Sequence, residues 1–282
     1  MRSVRRGAPR ERFGEGRQTN DWRRQIDKRE LGGDQIEGRQ AVLELLNARR
    51  REVKQVWIAD GIDPTPELDK ISSLAARSGA RVMVVPFRRI DSEARTRSHQ
   101  GVLAKAAPLT ETPLDELFAA TKKTRPFLLV LDGVTDPQNL GALLRIAECA
   151  GVTGVVLARH NAAHITPTVA KVAAGAVEYL RFAIAPGIPT AISSLSDAGI
   201  YCLGLDPSAT TSIYEIEVDD EATPNGLALV LGDEGKGLAS LTRKRCAQLA
   251  SIPQHGKIAS LNVAAAGAVA CFELSKKITR KG

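Results

Sequence analysis

The sequence of 282 residues predicts an α/β protein built on a parallel sheet, preceded by a smaller αβα unit and a disordered basic arm. Three observations lead there. From Phe127 onward, short apolar runs alternate with helical segments, which is the pattern of a parallel sheet covered on both faces. Residues 36–106 have a helix–strand texture of their own and end at a Pro-rich stretch. Residues 1–35 carry Arg at 2, 5, 6, 10, 12, 17, 23, 24 and 29 with few apolar side chains. Such a segment cannot bury enough surface to offset its ordering entropy, so it reads as a flexible arm.

The elements follow in order. Ile36–Leu46 has apolar residues at 36, 42, 43, 45 and 46 and predicts a helix. Val53–Ala59 predicts a strand. In Pro66–Ser78, Leu68, Ile71, Leu74 and Ala75 form one stripe and Gly79 stops the helix. Val82–Val85 predicts a short strand, Arg88–Thr96 a helix and Gly101–Ala106 a last strand. Residues 107–125, with Pro108 and Pro113, read as a linker holding one short helix, Leu114–Ala120. From 126 to 282 the predicted strands are Phe127–Leu131, Gly154–Ala158, Tyr179–Ile184, Tyr201–Leu205, Leu227–Leu231 and Ser251–Pro253. The predicted helices there are 137–150, 166–175, 189–198, 238–248 and 261–277.

Composition narrows the class. Hydrophobic residues make up 43% and charged residues 25%, as in soluble globular proteins. No apolar run approaches about 18 residues, so no membrane span is predicted. The start, Met-Arg-Ser-Val-Arg-Arg, leads into no apolar core segment, which argues against a secretory signal and for a cytoplasmic protein. The net charge of +7 is unevenly spread: +4 on residues 1–35, +4 on 36–110 and −1 on 111–282. A basic section joined to a near-neutral one suggests a grip on a polyanion beside a part with another job. Cys149, Cys202, Cys246 and Cys271 make no CxxC pair, and His99, His160, His164 and His255 do not cluster with carboxylates. No metal site is predicted, and the cysteines read as reduced core thiols.

Ligands of parallel sheets lie in the loops after the strands, and three such loops are unusual. In the first, Leu131 to Arg145, Asp136 is a good N-cap and Pro137 fits the first helical position. Asn139 and Arg145 stand off the apolar stripe, roughly 240° apart around the helix. Gly141 lowers helix propensity by about 1 kcal/mol against Ala, which suggests close approach of another backbone. Taken alone, this block reads rather as a surface helix with an incidental Arg. In the second, Leu231-Gly232-Asp233-Glu234-Gly235-Lys236-Gly237-Leu238, glycines would let a ligand touch main chain. It is neither a P-loop nor a dinucleotide fingerprint. A charge such as Glu234 inside a glycine turn should have a partner. In the third, Ser251 to Ala270, a loop enters a helix rich in Ala and Gly, and Ser260 reads as its N-cap.

The three blocks together resemble the motifs of the SpoU/TrmH family of the SPOUT methyltransferase superfamily: N-x-G-x-x-x-R, L-G-x-E-G-x-G-L and I-P-M-x-G-x-x-x-S-L-N-V-S. Here they stand, in family order, as Asn139–Arg145, Leu231–Leu238 and Ile252–Val263. Ile36-Glu-Gly-Arg-Gln-Ala-Val42 and His99-Gln-Gly-Val-Leu-Ala104 resemble the small substrate-binding domain of several members. Within the family the likeness is to bacterial 23S ribosomal RNA guanosine 2′-O-methyltransferases. Gln254 and Ala264 depart from the motif's Met and Ser.

The resemblance implies a catalytic SPOUT domain over 126–282 with a trefoil knot, an L30e-like RNA-binding domain over 36–106, a homodimer, and S-adenosyl-L-methionine as cofactor. It implies cofactor contacts from Leu231, Gly232, Gly235, Ile252, Leu261 and Asn262. It places Asn139, Arg145, Glu234, Ser260 and Asn262 at catalytic positions. The implied reaction moves a methyl from a sulfonium to a ribose 2′-hydroxyl of ribosomal RNA, with no metal needed. A guanidinium is effectively always protonated, so Arg145 more easily holds a phosphate or stabilises alkoxide charge than acts as base. Asn139 would position the ribose or Arg145, and Glu234 would anchor one of the two. Alternatives within the class are a resistance-type enzyme that methylates an adenosine in 23S RNA and a transfer RNA 2′-O-methyltransferase. Outside it stands a non-catalytic L30e-like RNA-binding protein, which the three intact motifs argue against.

Overall fold

The computed structural model describes residues 31–119, 125–160, 162–218, 221–257 and 260–279. Residues 1–30 of the predicted arm lie outside the described residues. Residues 31–35, predicted as the end of that arm, are built into the fold. Leu31 is buried, and Gly33 N donates to Ile165 O at 2.8 Å.

The first sheet is mixed, with strands β1 (Gln35–Glu37), β2 (Val53–Ala59), β3 (Arg81–Val85) and β4 (Val102–Ala106) in the order β1-β4-β2-β3. Only β2 and β3 run parallel. β1 stands where a continuous helix from Ile36 was expected. Ile36 pairs with Ala104 and is buried in the sheet, and the helix α1 begins only at Arg39 and runs to Ala48. Helix α2 (Pro66–Arg77) starts as predicted, with Thr65 Oγ1 accepting from Leu68 N. Helix α3 (Phe87–Glu93) covers the other face, packing Ile90 with Trp57, Val85 and Leu103.

The second sheet is wholly parallel. Its strands are β5 (Phe127–Asp132), β6 (Gly154–Ala158), β7 (Phe182–Ala185), β8 (Tyr201–Leu205), β9 (Leu227–Gly232) and β10 (Gln248–Ala250). Their order is β10-β8-β9-β5-β6-β7. Strand alternation divides the core in two. Leu129 and Leu131 of β5 pack with α5 (Pro137–Cys149) and α9 (Val263–Thr279), through Leu140, Leu143 and Leu274. Leu128 and Val130 face α4 (Leu114–Ala119) and α7 (Ile188–Asp197), through Leu117, Ile192 and Leu195. Leu117 is fully buried, so part of the stretch predicted as a linker fills the core of this sheet.

Two strands differ from prediction. β7 starts three residues after Tyr179, because Ala176–Glu178 forms a 3-10 turn. The helix α8 is short, Ser240–Arg245, which frees Gln248–Ala250 to pair with Leu203–Leu205; Ser251–Pro253 is therefore past the strand. Helix α6 (Pro167–Val172) lies tightly on α5: a Cβ on Gly141 would sit 2.6 Å from Val172 Cβ and 2.9 Å from Val169 O. The backbone approach suggested by that glycine is thus present.

The layers around the two sheets are joined by a buried ion pair. Arg51 Nε and one terminal nitrogen reach the two oxygens of Glu178 at 2.9 and 2.6 Å. The other terminal nitrogen donates to Gly33 O and Ala107 O. A bidentate guanidinium with its remaining donors satisfied is the geometry in which a buried pair is tolerated. Among the described residues no helix is long and apolar enough to cross a membrane.

Candidate active site

The three unusual loops converge at the carboxyl ends of β5, β9 and β10. Asp136 caps α5, its carboxylate accepting from Gln138 N at 3.3 Å and Asn139 N at 3.1 Å. That places Asn139 in the first turn. Its Nδ2 donates to Glu234 Oε2 at 2.8 Å. Asn262 Nδ2 donates to Asn139 Oδ1 at 2.9 Å and to Glu234 Oε1 at 3.0 Å. Asn262 Oδ1 accepts from Ala264 N at 2.9 Å and Ala265 N at 3.3 Å. Main-chain N–H groups can only donate and a carboxylate can only accept, so the orientation of both amides is determined.

These bonds correct one expectation. Helix α9 starts at Val263, so Asn262 is its N-cap and Ser260 lies two residues too early for that role. Ser260 instead lines the neighbouring cleft. They also answer what Glu234 is for: it anchors Asn139 and not Arg145.

The loop 232–238 is closed on itself. Asp233 N donates to Gly237 O at 3.1 Å and Gly237 N to Asp233 O at 2.8 Å. Asp233 Oδ1 accepts from Gly235 N and Lys236 N at 2.9 and 3.0 Å. A Cβ on Gly232 would lie 2.2 Å from the Gly237 carbonyl carbon, so only glycine fits. Asp132 Oδ2 accepts from Ala239 N at 3.0 Å and holds the far end of the loop.

Beside the loop lies a cleft of about 320 Å³. Of the predicted cofactor contacts, Leu231, Gly232, Gly235, Ile252 and Leu261 line it, as do Glu234 and Ser260. Asn262 and Asn139 bond to its rim through Glu234 but are not among its lining residues. Arg145 is not brought to the cluster. Its side chain is exposed on α5 and makes no hydrogen bond or ion pair among the described residues.

Among the lining residues that sequence reasoning missed are two that carry opposite charges. Asp206 and Arg243 pair across the cleft at 3.3 Å. Asp206 Oδ1 also accepts from Ser208 N and Oγ at 2.9 and 2.7 Å. The available signal was position, since Asp206 directly follows β8, at the carboxyl end where ligands of parallel sheets bind. Apolar walls from Leu231, Leu238 and Leu261, exposed main chain, the Glu234 carboxylate and the Asp206–Arg243 pair suit a ligand with a flat apolar part and a charged polar part. S-Adenosylmethionine has both.

The thiols take no part in this site. Cys202, Cys246 and Cys271 are pushed up by burial to about 11, 12 and 12 respectively. Cys149 departs from the expected core location: it is exposed on the last turn of α5.

Known proteins resemble this chain over most of its described length. Residues 126–272 match the SpoU rRNA Methylase family, and residues 35–112 match the RNA 2′-O ribose methyltransferase substrate-binding family. The 23S rRNA (guanosine-2′-O-)-methyltransferase RlmB of Pseudomonas putida is 38% identical over 85% of this chain and 95% of its own. The protein of that name from Pseudomonas aeruginosa is 35% identical over 87% and 97%. Among solved structures, the SpoU methyltransferase AviRb of Streptomyces viridochromogenes in complex with AdoMet has a TM-score of 0.69 at 19% identity, covering 86% of this chain and 89% of that one. The AdoMet-bound rRNA methyltransferase of Sinorhizobium meliloti also has a TM-score of 0.69, at 23% identity and 86% coverage of both chains. The chain belongs to the SpoU rRNA methylase family.

Proposed function

We propose that this protein is an S-adenosylmethionine-dependent 2′-O-methyltransferase of ribosomal RNA, acting on a guanosine ribose of 23S RNA. The observation that carries it is the closed Asn139–Glu234–Asn262 cluster on the rim of a cleft walled by the glycine loop. The relatives named for that reaction on 23S rRNA support the substrate.

The cofactor, when bound, supplies an activated methyl on a sulfonium. The chain's residues do the rest. Loop 232–238, Ile252 and Leu261 would hold it by main chain and apolar contact, with the Glu234 carboxylate lining the same cleft. Asn139, fixed by Glu234 and Asn262, positions the ribose, since alignment of hydroxyl and methyl is the main catalytic requirement. Arg145 grips the neighbouring phosphate or the developing alkoxide through its guanidinium, and the hydroxyl proton leaves to solvent.

We read the carboxyl-terminal part as a trefoil knot. The position of Asn262, bonded to the Asn139–Glu234 pair although it follows edge strand β10 in the chain, supports threading past the loop after β9. The small sheet with α1 and α2 on one face and α3 on the other supports an L30e-like RNA-binding unit over 36–106. The catalytic part is taken as 126–282 and the protein as a cytoplasmic homodimer.

The test is methyl transfer from tritiated S-adenosylmethionine to 23S RNA transcribed without modification, followed by mapping of the 2′-O-methyl site. Incorporation at one guanosine is expected; no incorporation into ribosomal RNA would overturn the assignment.

A further inference from the structure

The two small-domain motifs, Glu37-Gly-Arg39 and His99-Gln-Gly101, interlock around one loop. Glu37 is fully buried, and its carboxylate accepts from Gln35 Nε2 at 2.8 Å, Arg95 N at 2.7 Å and Thr96 N at 2.9 Å, and also from the Thr96 hydroxyl. At the far end, buried His99 accepts from Gly101 N at 3.1 Å and contacts Asp91 Oδ1 at 2.8 Å. Arg39 N donates to Gln100 Oε1 at 3.0 Å. Residues 95–101 are therefore held at both ends by buried polar groups, and a loop so held keeps one shape.

Opposite stands α6, whose Lys171 donates to the carbonyl and hydroxyl of Ser98. Between loop and helix runs a groove of about 510 Å³, lined among others by Arg95, Arg97, Ser98, Gln138, Thr168 and Lys171. None of its lining residues is acidic. The guanidinium groups of Arg95 and Arg97 are exposed and make no hydrogen bond or ion pair among the described residues. Burial lowers the pKa of Lys171, opposed by the charge of Glu37; an anion in the groove would favour its charged form further.

We propose that this groove, between loop 95–98 and helices α5 and α6, holds backbone phosphates of the RNA strand next to the nucleotide being methylated. The proposal rests on the methyltransferase reading above and adds the path of the strand. Gln138, which lines the groove, precedes Asn139 on the first turn of α5, so one end of the groove is set one residue along the chain from the Asn139–Glu234–Asn262 cluster. Three cations and polar donors in a solvent-open groove suit phosphate contacts that set register without reading sequence.

The test uses the full-length protein, a 23S RNA fragment that the wild type methylates, and the double variant Arg95→Gln/Arg97→Gln. Each phosphate-gripping cation adds about 1 to the slope of log K against log salt. The double variant should flatten that slope by about 2 and weaken binding about tenfold or more at moderate salt. Its methyl transfer should suffer in KM, while S-adenosylmethionine binding by calorimetry and melting temperature stay at wild-type values. Arg95→Lys/Arg97→Lys, which keeps both charges, should restore most of the slope. An unchanged slope in the Gln variant, with wild-type methylation intact, overturns the groove and leaves the enzyme reading standing. Failure of the wild type itself to bind or methylate ribosomal RNA overturns both.

Discussion

Asn139 and Glu234, 95 residues apart in sequence, are joined by a hydrogen bond of 2.8 Å from the Asn139 amide to Oε2. Asn262 closes the arrangement by bonding to both. One motif residue from each of three loops thus meets in a single cluster. Because the Asn262 carbonyl also caps α9, the position of the last helix and the shape of the site are coupled.

That coupling can be taken apart. Asn262→Ala removes both the cap and the bridge, so stability should fall by about 1 kcal/mol and methyl transfer should be lost. Asn262→Ser keeps a capping oxygen, so stability should stay within about 0.5 kcal/mol while activity still drops. Denaturant unfolding beside a tritium-transfer assay separates the two. Equal stability loss in both variants would mean that the cap is not the source of the effect.

Arg145 lies outside the cluster on the exposed side of α5. Arg145→Ala should therefore leave stability within about 0.5 kcal/mol of wild type. Cofactor binding measured by calorimetry should persist, and most methyl transfer should disappear. Near-wild-type turnover in this variant would sink its catalytic assignment.

Gly232→Ala places a methyl group 2.2 Å from the Gly237 carbonyl carbon and 2.4 Å from Leu238 N. Both are main-chain atoms that cannot rotate aside. The loop must open, at about 1–3 kcal/mol, and S-adenosylmethionine affinity should fall at least about tenfold. Calorimetric titration checks this; unchanged affinity would show that the loop does not shape the cofactor site.

The cysteines predict an alkaline limit. Thiols of Cys246 and Cys271 ionise near 12 when folded, against an ordinary value of 9.0, chiefly because of burial. The folded state then holds more protons than the unfolded state above about pH 9. This contribution is fully present below that pH and is lost as pH rises towards 12. At pH 7.5 a disulfide reagent should label exposed Cys149 before the other three, which should react only on unfolding. Rapid labelling of two or more thiols in the native protein would contradict the packing.

Local chemistry alone determined much of this protein. Asp136 followed by Pro137 announces the start of α5, and the apolar run Tyr201–Leu205 is β8 to the residue. The motif resemblance picked out Asn139, Glu234 and Asn262, and the lone carboxylate in a glycine loop called for a partner. Tertiary structure decided which partner. It also decided that Gln35–Glu37 is a strand, because β1 exists only through pairing with β4, some 66 to 70 positions along the chain. The same holds for β10, whose register is set by β8, and for the Asp206–Arg243 pair across the cleft. Caps, periodicity and glycine turns depend on neighbours within one or two helical turns, so a sequence displays them directly. Strand pairing and side-chain partners depend on which distant surfaces pack together, and that is a property of the whole folded chain.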